Sequence, residues 1–224
     1  MKWRSLTRSI QPAVEPVSLL EVKQHLRVDH ETDDSYIAAL ITAAREWAEV
    51  YLDRTLVTTQ WTMRMDSFPT MARQLSEAYQ DRTFIATQLN VRADIFPPDI
   101  ELPRPPMSTS NTTATISYLT DTGTRTTMPT DQYRVDSDST PGVVRPLYAG
   151  TWPAHRVDQN SVVITWYAGY GDSGQSVPRQ IRHAIMMLVG VWYEVRSGTM
   201  NGTYAEPPYS IKTLLDSCRW GGYQ

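Results

Sequence analysis

Hydrophobic positions along the chain switch from a helical to a strand period and back again. Ile37, Leu40, Ile41, Ala44, Trp47, Ala48, Tyr51 and Leu52 recur three and four residues apart. That spacing predicts an amphipathic helix over Asp34–Asp53, about 30 Å long, with one broad stripe turned to a core. Thr32 or Asp33 is placed to cap it. Arg45, Glu46 and Glu49 are expected on the opposite, solvated side, while Ala38, Ala39 and Ala43 flank the stripe where a second helix can come close. Upstream, Ser18 and Glu21 form a capping-box pattern ahead of Leu19, Leu20, Val22 and Leu26, predicting a shorter helix that stops near Arg27. Residues 1–17 carry Trp3, Pro12 and Pro16 without a sustained period and read as an arm.

From Leu56 the period becomes two, with Val57, Thr59, Trp61, Met63 and Met65 on one face of a strand. A short helix is expected near Met71–Tyr79 and a strand at Ile85–Val91. The proline-dense stretch Phe96–Pro106 should be extended and irregular, because proline cannot donate to a sheet. Thr113–Leu119, the turn Asp121-Thr122-Gly123 and Arg125–Met128 read as a hairpin. Gln132–Val135, Val143–Arg145 and Val162–Tyr167 are further strands, with Pro141-Gly142 between the first two; the last is the most apolar and should be interior. Threonines crowd Ser110–Thr130, which suits a solvated sheet face.

Helical spacing then returns. After the glycine-rich turn Gly169–Ser176, Ser176 or Val177 is expected to cap a helix with Pro178 in its first turn. Ile181, Ala184, Ile185, Leu188, Trp192 and Val195 form its stripe, and Met187, Gly190 and Val191 a second apolar face, so the helix should be central. Gly190 is expected to let a neighbouring helix approach. Ser197-Gly198 ends the helix, and Ser210 is placed to cap a final one containing Ile211, Leu214, Leu215 and Cys218. The fold class is therefore α+β: terminal helices form a small helical bundle, with a mid-chain, mainly antiparallel β subdomain. The segments are an N-terminal arm (1–17), the first part of the helical body (18–55), a β-rich subdomain (56–168) with a proline-rich linker at 96–106, the second part of the helical body (177–220) and a C-terminal tail (221–224).

Composition narrows the function classes. The 224 residues are 41% hydrophobic and 20% charged, so a sizeable core is expected and wholesale disorder is not. Lysine and arginine total 21 against 24 acidic residues, a net charge of −3, which argues against a protein whose main work is gripping nucleic acid. A lone cysteine, Cys218, excludes a disulfide framework and a cysteine-rich zinc site. Lys2, Arg4 and Arg8 are followed by no apolar stretch of signal-peptide length. The longest uncharged apolar run, Ala184 to Tyr193, would reach about half-way across a bilayer.

Motif-level chemistry is thin. Gly169-Tyr170-Gly171-Asp172-Ser173-Gly174 matches G-x-G-x-x-G, but the helix opens near Pro178, too late to aim backbone donors at a pyrophosphate. Gly171-Asp172-Ser173-Gly174 is similar to the nucleophile stretch of chymotrypsin-like serine proteases. It stops matching at Gln175, and no histidine stands in that family's context, so a serine hydrolase using Ser173 is the weaker alternative. Asp29, His30, Glu31, Asp33 and Asp34 cluster without calcium-loop spacing. No catalytic, cofactor or metal residue is assigned. Trp3, Trp152 and Trp220 lie in irregular or terminal stretches, as aromatic residues at an interface would.

Taken in order, the segments resemble the head–tail connector (adaptor) proteins of tailed bacteriophages. The resemblance is carried by Pro16–Arg27, the Asp34–Asp53 helix, Thr59-Gln60-Trp61 and Leu102-Pro103-Arg104-Pro105-Pro106. Ile116–Leu119, Asp121-Thr122-Gly123, Tyr133-Arg134-Val135-Asp136 and Trp152-Pro153 continue it, followed by Val163–Gly171, Val177-Pro178, Val191–Arg196 and Leu214-Leu215. The Phe68–Phe96 segment is long for the family, and the closing helix lacks the proline–tyrosine usually found before its arginine. The resemblance implies a non-enzymatic virion structural protein without cofactors. It implies a self-assembled ring, usually a dodecamer, beneath the portal protein. That ring extends the channel for double-stranded DNA, without sequence-specific binding, and presents a surface to a neck or tail-completion protein. An alternative is a neck or tail-completion subunit one layer further out. The location implied is the virion neck, after host cytoplasm during assembly, with no membrane. Trp3, Arg4, Arg8, Trp152, Arg219, Trp220 and Tyr223 are the assembly or docking residues expected, with Met1–Glu15 and Arg219–Gln224 ordering on docking.

Overall fold

The computed structural model describes residues 4–68, 99–148, 150–195, 199–200, 203–204 and 208–219. The helix expected near Met71–Tyr79, the strand at Ile85–Val91 and the Ser197-Gly198 stop lie outside the described residues. The chain divides into two compact units. One comprises Met1–Ile10, Gln60–Pro103 and Asn111–Tyr167; the other comprises Gln11–Thr59, Arg104–Ser110 and Ala168–Gln224.

The second unit is helical: α1 (Leu19–Leu26), α2 (Asp34–Leu52), α3 (Arg179–Glu194) and α4 (Tyr209–Asp216). At the start of α1 the Glu21 N–H donates to Ser18 Oγ at 3.3 Å and the Ser18 N–H to Glu21 Oε2 at 2.8 Å, which is the capping box expected. Asp33 precedes α2, but its carboxylate does not cap the helix; it accepts the hydroxyl of Tyr193 on α3 instead. Pro178 stands immediately before α3, while Ser176 sits in a preceding 3-10 turn, Gly174–Ser176. α4 likewise starts behind Pro208, one residue ahead of the cap expected at Ser210. Val22, Ile37, Ile41, Leu52, Ile181, Leu188, Ile211 and Leu215 come from all four helices and share one core. Each such apolar side chain contributes about 1.5–3 kcal/mol by leaving water.

Three helical expectations change. Leu20, assigned to the apolar side of α1, is 66% exposed; with only two turns, α1 can bury a narrow line centred on Val22. Arg45 and Glu49, expected in solvent, are 2% and 3% exposed. They are buried because they neutralise one another within α2 and meet Glu15 of the segment before α1. At Gly190 an added Cβ would lie 3.6 Å from Leu26 Cδ2, an ordinary contact, so close packing does not require glycine there.

The first unit is built on sheets. A five-stranded sheet has the order β1 (Ser5–Ile10), β2 (Thr59–Met65), β8 (Val162–Ala168), β4 (Ala114–Leu119), β5 (Arg125–Thr127). A three-stranded sheet has the order β3 (Ile100–Leu102), β7 (Gly142–Pro146), β6 (Tyr133–Asp136). The β1–β2, β4–β8, β4–β5, β3–β7 and β6–β7 pairings are antiparallel. Apolar β8 lies at the centre of its sheet, and its alternation buries Val162, Ile164, Trp166 and Ala168. Met63, Ile116, Ile100, Leu102 and Val144 are among the other buried side chains of this unit. The Tyr133 hydroxyl donates to the Ala114 carbonyl, joining one sheet to the other, and burial pushes its pKa up.

Two stretches expected to be irregular contain strands. Ser5–Ile10, within the arm, pairs with β2 as an edge strand. Its polar Thr7 and Ser9 face water, so it lacks the apolar run that marks interior strands. Ile100–Leu102 forms β3 between prolines, on the edge of its sheet where proline neighbours are tolerated. Thr199–Met200 (β9) and Thr203–Tyr204 (β10) make a separate two-stranded pairing.

Candidate assembly surfaces

The polar network around α2 fixes the segment leading into the helices. Arg45 Nε donates to Glu15 Oε2 at 2.8 Å, and Arg45 Nη1 to Glu49 Oε2 at 3.0 Å. Glu49 Oε1 accepts the Leu56 N–H at 3.0 Å, and Thr42 donates to Glu15 Oε1 at 3.0 Å. Arg182 of α3 acts on the next residue along: its Nε donates to the Pro16 carbonyl at 2.9 Å, while Nη2 meets Glu21 and Nη1 meets Gln175. The Ser18 backbone N–H is the main reason the Glu21 carboxyl lies below its ordinary pKa, with Arg182 adding to the effect. Residues 15–21 are thereby locked to α2 and α3. The part of the arm from Ser5 to Glu15 thus holds a paired strand and, in Glu15, a half-buried carboxylate paired with buried Arg45.

Glycines in the Gly169–Ser176 turn serve the same local packing. Gly169 has φ +135°, and a Cβ there would fall 2.5 Å from Thr58 N and from the Val57 carbonyl carbon. A Cβ on Gly174 would fall 2.5 Å from the Glu15 carbonyl oxygen. The G-x-G-x-x-G spacing thus records close backbone approach within the helical unit. Ser173 Oγ accepts the Gln175 N–H at 3.2 Å and caps the 3-10 turn, and Asp172 accepts the Ser110 hydroxyl at 2.9 Å. Of the acidic cluster, Asp34 pairs with Lys23 at 2.6 Å and Asp33 with Tyr193. Among the described residues, no group of three potential metal ligands occurs, and no helix is long and apolar enough to cross a membrane.

Of the expected docking residues, Arg4, Arg8, Trp152 and Arg219 are described, and each makes contacts within its own unit. Trp3, Trp220 and Tyr223 lie outside the described residues. Arg4 pairs with Asp66 at 3.2 Å, and the Arg8 guanidinium lies 5.1 Å from the centre of the Trp61 ring. Trp152 stacks on buried Phe68, centroids 4.7 Å apart and planes within 3°, while His155 meets Phe68 edge-on. The Phe68 N–H donates to His155 Nε2 at 3.3 Å. In the helical unit, Arg219 lies over Tyr51 at 5.5 Å; Tyr51 stacks on Trp47 and donates to Asp216 Oδ1 at 2.7 Å. That hydrogen bond is the main reason the Tyr51 hydroxyl pKa is raised. Trp152 and Arg219 therefore already have partners within the chain.

The unburied apolar positions are elsewhere, and periodicity alone missed them. Leu20 on α1 is 66% exposed, Val50 on α2 is 72% and Tyr209 on α4 is 83%. Ala38, Ala39, Ala43 and Val50 lie along the exposed side of α2. The alanines were a legible signal, since a solvated helix face ordinarily carries charge. A groove beside α1 is lined by Leu19, Leu20, Lys23, Gln24, Arg27 and Val28, with the Lys23–Asp34 pair at its wall.

Comparison with known proteins finds a partial family match and a shared fold. Residues 16–90 match the family described as Phage gp6-like head-tail connector protein. No curated protein sequence matches the chain. Three solved assemblies contain chains of similar fold. A chain in "Neck of empty GTA particle computed with C6 symmetry" is 19% identical, with a TM-score of 0.66 over 96% of this chain and 95% of that chain. One in "Virion of native gene transfer agent (GTA) particle" is 18% identical, with a TM-score of 0.66 over 96% and 94%. One in "Neck of native GTA particle computed with C12 symmetry" is 18% identical, with a TM-score of 0.57 over 94% and 94%. At those identities the likeness is one of fold, and it runs through both units.

Proposed function

We propose that this protein is a head–tail connector, a non-enzymatic structural protein of the neck of a tailed-phage or gene-transfer-agent virion. Copies form a closed ring, with twelve the expected number, between the portal and the next neck or tail component. Double-stranded DNA passes through the ring's channel without sequence-specific binding. The observation that carries this reading is the connector-family match over residues 16–90, coupled to fold likeness with neck-particle chains over 96% of the sequence. The physical arrangement supports it. A closed head-to-tail ring needs two different faces on each subunit, and Leu20, Val50 and Tyr209 are apolar surface that neighbouring copies can cover. Trp3, Arg4, Arg8, Trp152, Arg219, Trp220 and Tyr223 are proposed to contribute to docking, with those already packed in the chain acting by holding the local surface in shape.

Cryo-electron microscopy of purified particles tests the proposal. The expected map shows one ring of this polypeptide against the portal, with a central channel. Intact, DNA-filled particles lacking the polypeptide would overturn the connector role. Density separated from the portal by another protein would assign it to the next layer of the neck.

A further inference from the structure

Strand register gathers hydroxyl groups on one side of the five-stranded sheet. Thr7 of β1 lies opposite Thr62 of β2, the Thr62 and Thr165 hydroxyls are 3.4 Å apart across β2 and β8, and Ser117 continues the row onto β4. Met63, Ile164 and Ile116 alternate with these residues and are fully buried on the other side. The hydroxyl row therefore lies on the other side of the sheet from these core residues, with Thr7 exposed, Thr165 and Ser117 half-buried and Thr62 buried between its neighbours.

Two arginines flank the row. Arg64 Nη1 donates to the Thr7 hydroxyl at 3.4 Å, and Arg125 Nη1 to the Ser117 hydroxyl at 3.3 Å. Among the described residues, neither is in an ion pair. No strand residue on this side is an aspartate or glutamate. Asp66, just past β2, is paired with Arg4 and accepts the Asn160 N–H at 3.0 Å. In a chain of net charge −3, a sheet face with two cations, a row of hydroxyls and no carboxylate is locally inverted in sign.

We infer that this face is the surface the connector turns toward double-stranded DNA, meeting the phosphate backbone and reading no bases. The inference rests on the connector reading and names the part of the chain that meets the DNA. Arginine and hydroxyl donors match phosphate oxygens, and contacts to phosphate carry no sequence information. Contacts confined to the phosphate backbone hold no fixed register, so DNA can slide along them.

The test uses the full-length chain at millimolar concentration and a fluorescent DNA duplex of unrelated sequence, read by anisotropy across salt. Two neutralised phosphates give a log–log salt slope of about −1.8, or roughly a tenfold loss of affinity between about 50 and 200 mM salt. In the double variant Arg64→Gln/Arg125→Gln the slope should fall close to zero, with the melting temperature unchanged. Salt-dependent binding that survives the double substitution, or no binding by the parent chain at the lowest salt, would overturn the inference. Incorporation of the double variant into particles separates the two readings. Normal incorporation with unaltered DNA binding removes this face from the DNA and leaves the connector role standing, whereas absence of the parent chain from particles removes the connector role itself.

Discussion

Arg45 gives the sharpest test, because helical periodicity and the folded structure assign it opposite environments. On the solvated side of α2, replacing it would cost about 0–1 kcal/mol, the range of an exposed ion pair. In the structure it is 2% exposed and bonds Glu15 at 2.8 Å and Glu49 at 3.0 Å, while Glu49 is itself 3% exposed. Arg45→Met keeps the aliphatic length but leaves Glu49 buried without its guanidinium partner, while it still accepts the Leu56 N–H. Stranding one member of a buried pair costs about 3–5 kcal/mol. Glu15 adds less, because at 30% side-chain exposure it can recover water. In Arg45→Met/Glu49→Gln the uncompensated charge is gone and the glutamine carbonyl can still accept from Leu56, so the double variant should be more stable than Arg45→Met by about 1–3 kcal/mol. Glu46→Gln is the internal control: its contact with Arg45 is 3.4 Å and its side chain 56% exposed, so the change should stay within about 0.5 kcal/mol. Urea denaturation of the full-length chain, followed by far-UV circular dichroism, measures all three. A loss below about 1 kcal/mol for Arg45→Met, or a double variant no more stable than the single, would refute the buried network.

Other substitutions separate neighbouring effects. Gly190→Ala should raise stability by about 0.5–1 kcal/mol in thermal melts, since the new Cβ meets only ordinary contacts. Gly169→Ala should lower it by at least about 2 kcal/mol, because φ is +135° and the backbone of Val57 and Thr58 blocks the methyl. The Glu21 carboxyl is held below its ordinary value of 4.5, so its contribution is complete above that pH and is lost as pH falls through the depressed folded-state value. Melting temperatures measured down to about pH 3 should therefore show a shallower acid decline in Glu21→Gln than in the parent. Phe68→Ala, removing a ring that is 1% exposed and stacked on Trp152, should cost about 3–5 kcal/mol in the same melts. Trp152→Phe should retain both stability and particle incorporation if Trp152 acts through that stack; loss of incorporation alone would assign Trp152 to a partner contact.

Much of the architecture was legible because apolar spacing reports burial directly. The Asp34–Leu52 helix, the Ser18–Glu21 capping box and the central position of Val162–Ala168 follow from it. The errors arise where burial is arranged by polar groups. Arg45 and Glu49 have no apolar signature, and their neutralising partner Glu15 is thirty residues upstream of Arg45. The edge strand Ser5–Ile10 is invisible for a related reason: its partner supplies the hydrogen bonds, and a strand facing water needs few apolar residues. Of the docking residues, the sequence located aromatic side chains in irregular stretches but could not show that Phe68 covers Trp152 or that Tyr51 lies under Arg219. Such partners depend on tertiary proximity across as many as 168 positions of sequence, from Tyr51 to Arg219.

Those misses have a common consequence for how a ring subunit can work. In the proposed ring, a subunit must keep its surface shape while DNA moves past it, and in the segment from Glu15 to Glu21 the buried Val17 is reinforced by polar contacts on either side. Arg45 holds Glu15, Arg182 holds the Pro16 carbonyl and Glu21, and Gly174 lets the turn before α3 come against the Glu15 backbone. Directional polar contacts of this kind fix a geometry more narrowly than a greasy contact of equal strength, because each donor must meet its acceptor in line. The chain entering α1 is thus set against α2 and α3 before any partner arrives. Leu20, Val50 and Tyr209 then project from helices whose positions are already determined, so association can proceed with little reorganisation of the subunit.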